Sequence, residues 1–117
     1  MAQFPISART IAAGPTVFGP VTAPASWNTV DCVLDFASLV GHLDVLVEWS
    51  SDGITWKTLL QIGGAEPGLG LDKYGHDRSQ LHFAVSRPSG FASGSRVRLT
   101  LTATNAFASS GGTLTVT

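Results

Sequence analysis

The stretch from Leu43 to Lys57 constrains this chain most, because a strand pattern runs into a turn signal and out again within fifteen residues. Leu43, Val45, Val47 and Trp49 fall on one side, and Asp44, Leu46 and Glu48 on the other, the period-2 alternation of a half-buried strand. Asp52-Gly53 supplies the reversal: glycine takes the positive φ of a tight turn, and aspartate bonds its own backbone and tolerates the same region. Beyond it Ile54, Trp56, Thr58, Leu60 and Ile62 form the apolar-biased row of a second arm, with Thr55, Lys57 and Gln61 opposite. Trp49 and Trp56 are therefore expected to pack in the core across a structural hairpin built on Asp52 and Gly53.

The remaining segments follow the same rule. Thr29 to Phe36 alternates with Val30, Cys32, Leu34 and Phe36 on one face, Leu81 to Val85 alternates around His82 and Ala84, and Val97 to Ala103 alternates with Arg98, Thr100 and Thr102. A last short strand is expected at Thr113 to Thr117, after Gly111-Gly112. No segment sustains helical spacing over ten residues. The expected fold is all-β, an antiparallel β-sandwich or jelly roll of about six to eight strands. Residues 1–24 carry Pro5, Pro15, Pro20 and Pro24 and read as an extended N-terminal arm or edge strand, with a single β-sandwich domain over 25–117. Gly63 to Gln80 is the longest apparent loop, and loops above about 12 residues are usually functional or mobile.

Composition excludes several partners. The 117 residues carry a formal charge of −1 with lysine and arginine scattered, so no basic stripe for nucleic acid or an anionic membrane surface is expected. There is no apolar run long enough for a transmembrane helix, and Met1 to Pro5 lacks the plan of a signal peptide, which points to synthesis in the cytoplasm. Cys32, the single cysteine, sits on an apolar row and reads as a buried, inert thiol. Charged residues make up 13%, about half the usual share of a soluble domain. Surface that a free monomer would charge is left neutral, which favours burial against partners.

No constellation for catalysis or metal binding emerges, and no cofactor is expected. His42, His76 and His82 have no metal-ligand spacing and read as surface or edge residues. Gly90 to Gly94 places its serine one position late for a nucleophile elbow, and Gly68-Leu69-Gly70 lacks the third glycine of a dinucleotide fingerprint. Asp31, Asp35, Asp44 and Glu48 lie on the polar sides of strands and read as a solvated face. Ser50 to Trp56 resembles the Asp-box turn Ser-x-Asp-x-Gly-x-Thr-Trp of sialidase-like propellers, one residue short between Asp52 and Gly53. That motif is structural in its families, so the resemblance implies a braced hairpin and no catalytic residue.

The charge-poor sandwich plan, the proline-rich opening and the Val45 to Trp56 hairpin together look like the small structural proteins of tailed bacteriophage virions, and are most similar to capsid decoration, or cement, proteins. The resemblance implies a non-enzymatic virion protein, a homotrimer on the capsid surface that clamps neighbouring copies of the major capsid protein. Its contact regions are then expected in the arm, Phe4 to Val21, and in the loop, Gly63 to Gln80. Phe4, Phe18, Leu69, Leu71 and Tyr74 are the candidate apolar anchors, and Lys73 and Arg78 the candidate rim charges. Removing Met1 to Pro15 is expected to weaken assembly while the sandwich still folds. The alternative is a carbohydrate-binding sandwich, which needs exposed aromatics where a cement protein hides Trp49 and Trp56.

Overall fold

The computed structural model describes residues 2–24, 27–36, 43–62, 80–87 and 95–117. Among them the alternating segments become nine strands: β1 (Ala2–Ile6), β2 (Arg9–Ile11), β3 (Gly14–Thr22), β4 (Thr29–Phe36), β5 (Leu43–Ser50), β6 (Lys57–Ile62), β7 (Gln80–Ser86), β8 (Arg96–Ala103) and β9 (Phe107–Val116). They form two antiparallel sheets, one in the order β1-β9-β4-β7 with β2 also on β9, the other in the order β3-β8-β5-β6. The all-β sandwich expected from the alternation is what the chain builds, with more strands than the alternation alone revealed.

Each sheet turns one apolar row inward. Val30, Cys32, Leu34, Leu114 and Val116 from the first sheet face Val45, Val47, Val97, Leu99 and Leu101 from the second, all fully buried. Alternation puts one strand face in contact with the opposite sheet and leaves the other to water, and burial of these rows is the main favourable term in folding. Trp27, between β3 and β4, is buried with them, and Phe36 meets Phe107 edge to face with centroids 5.3 Å apart. Cys32 lies in this row, and burial, followed by the Asp31 charge, pushes its thiol up to about 12. It stays protonated at neutral pH.

The proline-rich opening adopts edge strands. β1 and β2 run end to end along β9, from Ala2↔Val116 to Ile11↔Phe107, and β3 borders β8. Proline supplies no N–H to a ladder, so Pro5 and Pro15 are tolerated where one side of the strand faces solvent. The inward side of this segment is core: Ile6, Ile11, Phe18 and Val21 are buried, with Phe18 only 3% exposed. Removing Met1 to Pro15 therefore strips Ile6 and Ile11 from the core, and the expectation that the sandwich survives that truncation is corrected.

β9 has β1 and β2 on one side and β4 on the other, and β8 lies between β3 and β5, so the last two strands are interior strands of the two sheets. Gly112 on β9 stands opposite Leu34 and Ile6, and a Cβ there would run into the carbonyl of Val33 and the Leu34 backbone. The backbones approach too closely for any side chain. Gly112→Ala should destabilise the domain by at least about 2 kcal/mol through overpacking at the β4/β9 contact, whereas Thr115→Ala should change stability by about 0.5 kcal/mol or less. Urea denaturation of the two variants checks this.

Candidate functional site

Side-chain hydrogen bonds to the backbone gather in the hairpin between β5 and β6. Ser50, buried at the end of β5, donates its hydroxyl to Asp52 Oδ1 at 2.9 Å and accepts the backbone N–H groups of Asp52 at 3.3 Å and Gly53 at 2.8 Å on the same oxygen. Asp52 Oδ1 also accepts the N–H groups of Ile54 at 2.8 Å and Thr55 at 2.9 Å. Two side chains thus satisfy four consecutive backbone donors that a tight reversal would otherwise leave to water. Gly53 has φ +79°, a left-handed conformation that calls for glycine, and the Arg96 guanidinium lies against it.

The reversal is longer than the two-residue turn read from Asp52-Gly53. Trp49 pairs with Lys57, the register shifts between Val47 and Glu48, and Val47 then pairs with Leu60. The extra residues push Ile54 out of the row assigned to it, and it stands 83% exposed at the tip. The two tryptophans part company for the same reason. Trp49 is buried with the Lys57 ammonium 5.2 Å from its ring centroid. Trp56 is only half-buried, and the Arg98 guanidinium lies 4.0 Å from its ring centroid. The expectation of core packing therefore holds for Trp49 and is corrected for Trp56, because the lengthened turn presents it to Arg98.

Arg98 is held from a second direction. On the outward row where Glu48 pairs with Arg98, the guanidinium Nε and Nη2 each donate to Glu48 Oε1 at 3.0 Å. Side chains from β5, β8 and the turn thereby form one aromatic, cationic and anionic cluster on the outer face of the second sheet. Next to it, along the same face, Val17 on the edge strand β3 is paired with Thr100, and Thr100 with Leu46 on β5. Val17 is 54% exposed. On the opposite face of the molecule His82 Nε2 lies 3.5 Å from Asp31 Oδ2 with both side chains open to solvent, while Asp35 is also exposed. The acidic residues read as a solvated face do lie on outward rows.

The candidate anchors fare differently. Phe18 points inward against Leu99 and carries the Arg9 guanidinium 5.7 Å from its ring centroid, a contact from β2 to β3 across one edge of the sandwich. It is corrected from a partner anchor to a core residue, since strand parity puts it on the inner row. Phe4 is half-buried opposite Leu114 and packs against the core. Leu69, Leu71, Lys73, Tyr74 and Arg78 lie outside the described residues, as does the rest of the Gly63 to Ser79 stretch. Val17 and Ile54 are the two large apolar residues most exposed among the described residues, and neither was singled out as an anchor from sequence. The signal for Val17 was available in its parity with Phe18.

Among the described residues no group of three or more metal-ligating side chains comes together, and no helix is long and apolar enough to cross a membrane. No family model matches the chain, and no curated protein or solved structure matches it.

The turn makes a specific pH prediction. Hydrogen bonds from Ile54 and Thr55, then from Ser50, hold the Asp52 carboxyl down at about 2, against 3.8 for the free group. A folded value below the unfolded one means that the carboxylate's contribution is complete above about 3.8 and is lost as pH falls through about 2. The amide resonances of Ile54 and Thr55 should titrate with a midpoint near 2. A midpoint near 3.8 would show that these bonds are not made.

Proposed function

We propose that this protein is a non-enzymatic structural component of a tailed-phage virion that binds the major capsid protein lattice from outside and stabilises it, most simply as a homotrimer. The resemblance of the Val45 to Trp56 hairpin and of the charge-poor sandwich plan to decoration proteins supports this reading. The structural observation that carries it is the edge strand β3, which among the described residues pairs with β8 on one side only and exposes Pro15 and Val17. Such an edge offers main-chain hydrogen bonds to a partner strand without a side-chain code, and Pro15 limits how far pairing can extend. On the outer face beside it Arg98 and Glu48 are mutually paired, so burying that pair leaves neither of these two charges uncompensated. Repeated modest contacts from a trimer would hold several capsid subunits by avidity.

Capsids of the same virion assembled without this protein provide the test. Added protein should co-sediment to a saturable limit and raise the temperature at which the capsids rupture. Failure to bind them, together with saturable binding to a glycan, would replace this reading with the alternative one.

That alternative, a carbohydrate-binding sandwich displayed on a virion or tail, is favoured by one observation: Trp56 is on the outer face beside Glu48, Arg98 and Thr58. Sugars stack on exposed aromatic faces next to hydrogen-bonding groups, but here Arg98 already lies over one face of the ring. On the capsid reading, titration with a panel of oligosaccharides should leave the tryptophan fluorescence unchanged. A saturable change that Trp56→Ala abolishes would support the carbohydrate reading.

A further inference from the structure

We infer that Asp52-Gly53 is a latent site of aspartate isomerisation, which the folded turn holds shut and which becomes reactive when the hydrogen bonds of Ser50 and Asp52 are lost. The site is a property of this chain alone and holds whatever partner the protein has. An aspartyl-glycyl linkage is intrinsically reactive in a flexible chain, because glycine puts no Cβ beside the attacking nitrogen. The Gly53 nitrogen attacks Asp52 Cγ and forms a new N–C bond, while the amide proton and the carboxyl hydroxyl leave together as water. Water then opens the resulting succinimide at either carbonyl. One opening restores aspartate; the other leaves isoaspartate, with the main chain running through the former side chain.

Both reacting groups are occupied in the folded turn. The Gly53 N–H, whose proton must leave, donates to Ser50 Oγ at 2.8 Å. Asp52 Oδ1 accepts the Ser50 hydroxyl at 2.9 Å and the N–H groups of Ile54 at 2.8 Å and Thr55 at 2.9 Å, so the carboxyl is committed to donors other than the attacking nitrogen. Those bonds also keep the carboxyl ionised at neutral pH, and a carboxylate has no hydroxyl to lose. Asp52 is exposed, so water reaches it and the hydrogen bonds are the guard, not burial. Isomerisation then follows local opening of the turn. It is also damaging, because the added backbone carbon takes the carboxylate away from Ile54 and Thr55 and lengthens the turn that presents Trp56 to Arg98.

The test incubates the full chain at neutral pH in buffer and in denaturing urea, and locates isoaspartate by proteolytic digestion and peptide mapping. Position 52 should isomerise at least about tenfold more slowly in the folded chain than in the unfolded one. Ser50→Ala removes three of the bonds and should raise the rate in the folded state about tenfold, with circular dichroism showing the sandwich intact. If that variant does not fold, the wild-type comparison alone decides. Equal rates for folded and unfolded wild type would overturn the inference. So would a folded Ser50→Ala chain that isomerises no faster than wild type, or an unfolded chain that forms no isoaspartate at position 52.

Discussion

The sandwich depends on β8 and β9 having strands on both sides. Each contributes inward residues to the core, Val97, Leu99 and Leu101 from one and Leu114 and Val116 from the other, all fully buried. Each also satisfies backbone groups along both of its edges, so hydrogen bonding and apolar burial reinforce one another at the same positions. Gly112 shows how close the fit is, since the β4 backbone occupies the space a side chain would need. Irregularity is displaced outward as a result. Pro5 sits on β1 and Pro15 and Pro20 on β3, and the most exposed large apolar groups among the described residues sit on β3 and on the hairpin between β5 and β6.

Much of this arrangement was legible in the sequence because alternation is a direct image of strand parity. Thr29 to Phe36 forms a strand over its whole expected length, and Cys32 is buried as its place in the Val30, Leu34 and Phe36 row implies. Legibility failed where local chemistry competes with the pattern. The proline-rich opening hid three strands, because low ladder capacity is compatible with an edge as well as with a free arm. The serines and glycines from Ser109 to Gly112 concealed the first half of β9, whose strand conformation comes from its neighbours and not from intrinsic preference.

The hairpin was misread by its register. A two-residue turn at Asp52-Gly53 would have kept Trp56 in line with Trp49, but the Ser50 and Asp52 side chains fold a longer turn around themselves. Side-chain bonds to backbone donors are not visible in an apolar/polar pattern. Their consequence is large: one tryptophan remains in the core, the other becomes a surface platform over an ion pair, and Ile54 is carried to the tip. The same turn that resembles a purely structural motif thus decides which side chains a partner can reach. In the opening segment the exposed large apolar residue is thus Val17 and not Phe18, and at the hairpin end it is Ile54.

The order of the strands along the chain also sets the order in which they can find one another. Ala2 pairs with Val116 and Gly14 with Ala103, so the first strands meet partners that lie almost a full chain length away. As synthesis proceeds from the N-terminus, β1, β2 and β3 emerge long before β8 and β9 exist. Among the described strands, the ladder between consecutive ones is the β5–β6 hairpin, which can close early with its turn clamped by Ser50 and Asp52. Folding dominated by such distant pairings is slow, because the cost of closing the chain comes before the contacts that offset it. During that interval Pro5 and Pro15 act as guards, interrupting strands that would otherwise pair with the wrong neighbour while they wait for the right one.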